Sequence, residues 1–144
     1  MKAILDAGPL IAAWNKDDAH HEWAKNLFKK FTGPYFTTES VLTEVAHMTG
    51  QDALIVEGVR SGKFIVAGNI HQDASAMARA LAVYPDCDLA DASLIALSER
   101  RPLVHVLTTD KRHFVKYRRA DKSAMPFVRG QHMNQRAAFA QGDE

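Results

Sequence analysis

Four acidic residues lie within mainly apolar stretches of the chain, and their type and placement make them the first candidates for chemistry. They are Asp6, Glu44, Asp91 and Asp110. Ionised carboxylates are rarely left in a protein interior without a partner. Carboxylates held within a few ångströms raise one another's pKa and repel, so a cation must neutralise such a group. Oxygen ligands favour Mg²⁺ or Mn²⁺ over structural zinc, and either ion can activate water for in-line attack on a phosphodiester.

Two of these acids are predicted to end buried strands. Asp6 follows the apolar run Ala3-Ile-Leu5, and Asp110 follows the predicted strand Leu103 to Leu107 by way of Thr108 and Thr109. In open parallel sheets, ligands bind in the crevice beyond the carboxyl ends of the strands. We therefore expect both carboxylates at one edge of a sheet, although Asp110 could also simply cap a short helix through Tyr117.

Glu44 shares a helical stripe with Val41, Val45 and Met48. That stripe predicts that Glu44 faces the core side of a helix. The alternative is a boundary residue that leans into water or meets a lysine.

Asp91 occupies the first turn of a helix predicted from Leu89 to Arg101. Acids in this position also stabilise helix starts by about 1 kcal/mol without any further function. We assign the capping role to Asp88 and the site to Asp91, because Leu94 and Ile95 place Asp91 on the buried side.

The remaining pattern alternates predicted strands with predicted helices. Strands are expected at 35–37, 63–67 and 125–128, and helices at 10–14, 20–31 (capped by Asp17 or Asp18), 39–48, 51–60 and 71–83. Such alternation favours parallel pairing and an α/β sandwich. We expect one domain over residues 1–130 and a polar tail over residues 131–144.

Composition limits the class of protein. A chain of 144 residues suits a single domain, and one cysteine, Cys87, allows no internal disulfide. Cys87 is predicted to be a buried packing residue because no base accompanies it. We see no leader and no long apolar span, which favours a cytoplasmic protein without a membrane partner. None of the seven histidines shows the ligand spacing of a zinc site.

Charge is distributed unevenly. Residues 1–99 hold 8 Lys/Arg and 13 Asp/Glu, whereas residues 100–136 hold 10 Lys/Arg and 2 acids. A basic segment suits contact with a polyanion, although the charge alone favours a solvated basic surface. Candidates for contacts with the phosphates of a polyanion are Lys111, Arg112, Lys116, Arg118 and Arg119.

Four sequence blocks together resemble the PIN-domain nucleases, and within them the VapC-type toxins of type II toxin-antitoxin pairs. The blocks are Leu5-Asp6 followed by Pro9-Leu10-Ile11, Thr43-Glu44-Val45, Leu89-Ala-Asp91-Ala-Ser-Leu-Ile95 and Leu107-Thr-Thr-Asp-Lys-Arg-His-Phe114. The resemblance implies a three-layer α/β/α sandwich around a parallel sheet of about five strands. It also implies an endoribonuclease dependent on Mg²⁺ or Mn²⁺, a cognate antitoxin and a homodimer.

The same resemblance assigns roles to individual residues. It makes Asp6, Glu44, Asp91 and Asp110 the catalytic, metal-binding acids, with a hydroxyl of Thr108 or Thr109 near the metal. Asp88 is a reserve candidate.

Two alternatives remain open at this point. One is a PIN-fold module that binds RNA or protein without catalysis. The other is an aspartyl-phosphate enzyme of the haloacid-dehalogenase type, which also begins with a strand ending in Asp. That second family expects another acid two residues after the first, where this chain has Gly8.

Overall fold

A computed structural model describes residues 2–110, 114, 116–119 and 121–129. Five short parallel strands form its sheet in the order β3-β2-β1-β4-β5. They are β1 (Ala3–Leu5), β2 (Tyr35–Thr37), β3 (Phe64–Val66), β4 (Val106–Thr108) and β5 (Phe127–Arg129). The predicted parallel sheet of about five strands is confirmed.

Helices connect the strands and cover the sheet. They are α1 (Ala7–Trp14), α2 (His21–Lys30), α3 (Glu39–Thr49), α4 (Asp52–Arg60), α5 (Ile70–Val83) and α6 (Leu89–Arg100). The chain moves outward from β1 to β3 and then returns to the other side of β1. Because crossovers between parallel strands are right-handed, this reversal assigns α5 and α6 to the face opposite α1 to α4. The three-layer α/β/α architecture is thus as predicted.

Some predicted boundaries are wrong for identifiable reasons. Strand β4 begins at Val106 because the chain after α6 first makes a turn, closed by the Val104 N–H on the Arg101 carbonyl at 3.2 Å, which leaves Leu103 88% exposed. Helix α2 begins at His21, and Asp18 accepts the His20 N–H in the preceding turn instead of capping the helix. The last strand is displaced towards Arg129.

The core lies between the sheet and both helical layers. Strand β1 is fully buried, and helix α6 buries every residue from Ala92 to Ser98. A strand covered on both faces reads as a continuous apolar run, which is why Ala3-Ile-Leu5 lacks alternation. The predicted tail and the boundary at residue 130 lie outside the described residues.

The order of the strands creates a crevice. Connections leave β1 towards β2 on one side, while β4 lies on its other side, so the direction of winding changes between β1 and β4. Helix N-termini diverge at such a point, and the carboxyl ends of the strands open onto the space between them. Both predicted strand-end acids, Asp6 and Asp110, follow the strands that flank this crevice. Among the described residues, no helix is long and apolar enough to cross a membrane.

Candidate active site at the carboxyl edge of the sheet

Asp6 lies at the junction of β1 and α1 and is 8% exposed. One carboxylate oxygen, Oδ1, accepts the Ala7 N–H at 2.8 Å, and the other, Oδ2, accepts the Thr108 hydroxyl at 2.7 Å. Burial raises the pKa of Asp6 to about 7, with further increase from the charges of Asp91 and Glu44, and the two hydrogen bonds only partly oppose this. Ionised Asp6 is therefore an unfavourable buried charge in the absence of a cation.

Thr108 connects the ends of β1 and β4. Its hydroxyl donates to Asp6 and also accepts the Asp110 N–H at 2.8 Å. The next residue, Thr109, packs against the first turn of α1, where a Cβ at Gly8 would overlap its Oγ1. These contacts bring Asp110 to the same edge as Asp6.

Contrary to the prediction from its helical stripe, Glu44 does not face the core and is exposed at the boundary, which is the alternative that the sequence left open. Val41 and Val45 are buried, whereas Glu44 and Met48 are exposed on the neighbouring side of α3. Val41 and Val45 lie about 40° apart around the helix axis and Glu44 about 60° to the other side of Val41, at the edge of the apolar stripe. Partial burial of its carboxyl, together with the charges of Asp88 and Asp91, raises the pKa of Glu44, so its side chain belongs to the acidic group.

Asp88 and Asp91 stand at the start of α6. Asp88 caps the helix, because its Oδ1 accepts the Asp91 N–H at 2.8 Å, as predicted from the sequence. Asp91 is half-buried, and its Oδ2 accepts the hydroxyl of Tyr117 at 2.8 Å. Burial raises the pKa of Asp91, and the charges of Asp88 and Asp110 add to that increase.

The four predicted acids and Asp88 thus form one electrostatically coupled group. Within the described part of the chain, Asp6, Glu44, Asp88 and Asp91 form no ion pair with a basic side chain. The donor set, which is all oxygen and strongly negative, fits a divalent cation such as Mg²⁺ or Mn²⁺. Among the described residues, no three acids or histidines are already close enough to enclose an ion. Mg²⁺ tolerates such an open site, because it keeps several waters and takes few direct carboxylate ligands.

A cavity of about 770 Å³ lies beside the acids, between α3 and the N-terminal ends of α5 and α6. Glu44 and Asp88 belong both to the acidic group and to the cavity wall. A third acid of that wall, Asp73, is neutralised by Arg100, whose Nη2 lies 3.1 Å from Asp73 Oδ2. The crevice therefore continues from the acidic group into this cavity, whose wall also includes Glu39 and His47.

A comparison with protein-family models identifies the family of this chain. The PIN domain family model matches residues 3–120, which is most of the chain. The chain belongs to the PIN domain family. A search of curated proteins found no match.

PIN domains are generally nucleases, and they typically use a divalent metal ion. Membership of the family therefore supports action of this chain on nucleic acid. The matched range includes all five acids of the coupled group. It also leaves the haloacid-dehalogenase alternative without support, in agreement with Gly8 at the position where that family needs an acid.

The three phosphate-contact candidates that lie among the described residues differ in exposure. Lys116 and Arg118 are exposed, whereas Arg119 is only 8% exposed. The Arg119 guanidinium donates to Ser98 Oγ at 2.8 Å and to the Pro102 carbonyl at 2.7 Å. Arg119 is therefore a structural residue, and we remove it from the predicted phosphate contacts. The other two candidates, Lys111 and Arg112, lie outside the described residues.

Cys87 does not provide a nucleophile for the site. Cys87 is buried, as expected, and burial raises the pKa of its thiol to about 11, so it is a poor nucleophile near neutral pH.

Several hydroxyl groups around the site were missed from the sequence. Thr37 Oγ1 donates to the Leu5 carbonyl at 2.9 Å, and Thr38 Oγ1 meets Ser93 Oγ at 2.8 Å. Tyr117 contacts an acid 26 residues away in sequence. Only the position of the two threonines at the end of β2, parallel to that of Asp6 at the end of β1, could have indicated their role.

Proposed function

We propose that this PIN domain is a metal-dependent endoribonuclease that hydrolyses phosphodiester bonds of RNA at the acidic crevice. The observation that carries the proposal is the convergence of five acids, which are Asp6, Glu44, Asp88, Asp91 and Asp110. Among the described residues, all of these except Asp110 are shown to form no ion pair with a basic side chain. A fold that accepts this repulsion needs a compensating ligand.

In this proposal the acids bind Mg²⁺ or Mn²⁺, and the cation supplies charge neutralisation at the scissile phosphate and makes water a better nucleophile. Asp6 and Asp91 are the inner pair, because each is oriented by a hydroxyl donor. Glu44 and Asp110 flank them. Thr108 holds the Asp6 carboxylate and the Asp110 backbone in a fixed relation, and Thr109 shapes the junction with α1.

The cavity between α3, α5 and α6 fits a substrate chain that passes the acids. Its volume lies in the range of small-ligand sites. Nucleotides on either side of the scissile bond would extend into it, while Lys116 and Arg118 contribute positive charge outside. Lys111 and Arg112 remain candidates for phosphate contacts from the sequence alone.

We further propose the finer role implied by the resemblance of the four sequence blocks. In that role the chain is a VapC-type toxin of the cytoplasm, acts as a homodimer and is inhibited by a cognate antitoxin. The resemblance alone supports the antitoxin and the dimer.

Purified protein should be incubated with a mixed pool of structured RNAs in MgCl₂, in MnCl₂ and in EDTA. We expect cleavage with either metal and none in EDTA, and the new ends should be linear phosphates because water is the nucleophile. Cyclic phosphate ends would contradict the proposal, because the RNA 2′-hydroxyl would then be the nucleophile. A folded protein, freed of any inhibitor, that cuts no RNA with any metal would favour a PIN-fold module that only binds RNA or protein.

A further inference from the structure

Among the described residues, Tyr117 contacts an acid of the site from outside the sheet and has no role in the account so far. It is 1% exposed, and its hydroxyl donates to Asp91 Oδ2 at 2.8 Å. Hydrogen bonds to an ionised carboxylate are about twice as strong as neutral ones. We propose that Tyr117 is a positioning residue for metal binding, which orients the Asp91 carboxylate towards the cation. This inference rests on the proposed function.

The ring of Tyr117 is held in one orientation. Tyr84 packs against it edge-on with ring centroids 5.0 Å apart, and Phe114 does the same at 5.2 Å. Aromatic rings packed in this geometry have few alternative rotamers. The packing of Tyr84 and Phe114, and not the hydrogen bond to Asp91 alone, therefore fixes the direction of the Tyr117 hydroxyl.

The backbone around Tyr117 is fixed as well. The Arg118 N–H donates to the Tyr84 hydroxyl at 2.8 Å, and the buried Arg119 guanidinium is bound to Ser98 Oγ. Asp91 and Ser98 are seven residues apart on α6, which is about two turns. The segment 117–119 is therefore attached to the helix that carries Asp91 at two points along its length.

The hydroxyl stays a donor. An ordinary phenol has a pKa of about 10, so its oxygen keeps the proton near neutral pH and donates a hydrogen bond to Asp91 Oδ2. A carboxylate has about four lone-pair sites, and one donated hydrogen bond leaves the others for a cation. Hydrogen-bond partners of metal ligands commonly fix the geometry of the ligand and increase its affinity for the metal.

Under a purely structural interpretation, Asp91 only provides a hydrogen-bond acceptor for the buried hydroxyl of Tyr117. The two readings differ in what happens to the metal when the hydroxyl alone is removed. Tyr117→Phe keeps the ring and its packing. Tyr35→Phe is a matched control, since Tyr35 is also a buried tyrosine, donates to the Phe31 carbonyl and lies on β2 away from the acids.

The test measures Mn²⁺ affinity by the electron paramagnetic resonance signal of free Mn²⁺. We expect Tyr117→Phe to weaken binding about 10-fold or more, as is typical when a hydrogen-bond partner of a ligand is lost, and Tyr35→Phe to change it less than about twofold. In RNA cleavage, the Mn²⁺ concentration for half-maximal rate should rise by the same factor, while the rate at saturating Mn²⁺ stays near that of the wild type.

Equal Mn²⁺ affinity in Tyr117→Phe and the wild type would overturn the inference and leave the proposed function intact. Absence of Mn²⁺ binding by the wild type would instead overturn the proposed function, and the inference with it. If Tyr117→Phe fails to fold, the near-ultraviolet tyrosine absorption of the wild type gives the answer. Mg²⁺ should shift that absorption, and the shift should persist in Tyr35→Phe and vanish in Asp91→Asn. No shift in the wild type would overturn the inference.

Discussion

Replacing Asp6 with asparagine should stabilise the metal-free protein near neutral pH, although it removes a residue of the candidate site. Burial raises the pKa of Asp6 from its ordinary value of 3.8 to about 7. A tenfold change in proton affinity corresponds to about 1.4 kcal/mol, so ionising Asp6 costs the folded state about 4 kcal/mol relative to the unfolded chain.

The sign of the pH dependence follows from the raised pKa. Below about pH 4 the carboxyl is protonated in both states, and it makes no difference to the free energy of unfolding. As the pH rises towards about 7, the unfolded chain releases this proton before the folded protein does, and stability is lost. The pKa values of Glu44 and Asp91 are raised as well, so they add to the loss in the same direction.

Asparagine cannot ionise, and its amide can still accept the Ala7 N–H. The difference in unfolding free energy between Asp6→Asn and the wild type should therefore grow by about 4 kcal/mol from about pH 4 to about pH 8 in EDTA. Urea denaturation across this pH range measures it. Asp17→Asn, at an exposed acid outside the group, is the control and should show no such growth.

Adding Mg²⁺ should remove most of the difference, because a bound cation favours the ionised carboxylate and stabilises the wild-type fold by mass action. Parallel stability curves for the wild type and Asp6→Asn in EDTA would refute the reasoning. They would mean that Asp6 is ionised in the folded protein at no cost and that no compensating ligand is needed.

Other variants test the surroundings of the site. Gly8→Ala should destabilise the protein by about 1–3 kcal/mol, because the new Cβ would overlap Thr109 Oγ1. Adding Thr109→Ala should recover part of that loss, as measured by thermal or urea unfolding. Additive losses in the two variants would contradict the overlap. Arg119→Met should lower the free energy of unfolding by about 1–3 kcal/mol, because the hydrogen bonds to Ser98 are lost and the Ser98 hydroxyl is left unsatisfied. Lys116→Met, at an exposed position, should lower it by less than about 0.5 kcal/mol. Equal free energies of unfolding for the two variants would rule out the structural role of Arg119. Lys116→Ala should weaken RNA binding and reduce the slope of log affinity against log salt by about one, and an unchanged slope would remove Lys116 from the phosphate contacts.

The sequence predicted the architecture because its strongest signals are local. The apolar run before Asp6, the helix that follows Asp88 and the alternation of strands with helices are each visible within a short window. Asp88 was correctly identified as a cap because capping depends on residues three positions apart.

The sequence could not predict contacts that depend on how the layers pack. The stripe of α3 predicts a core-facing Glu44 with a boundary position as the alternative, because an edge position of a helical stripe resembles a central one until the neighbouring elements are known. Arg119 resembled a solvent-exposed charge within a basic run, and only the position of Ser98 and the Pro102 carbonyl makes it a buried donor. Tyr117 reaches Asp91 across 26 residues, a separation that carries no local pattern.

The most direct test of the metal-dependent nuclease is RNA cleavage by matched aspartate-to-asparagine variants in MnCl₂. Asp6→Asn and Asp91→Asn, each shown to be folded by circular dichroism, should lose at least about 100-fold in rate, because charge stabilisation by a bound cation contributes several kcal/mol. Asp17→Asn should retain the rate of the wild type. Cleavage by both site variants at the rate of the wild type, or cleavage by the wild type in EDTA, would contradict the account.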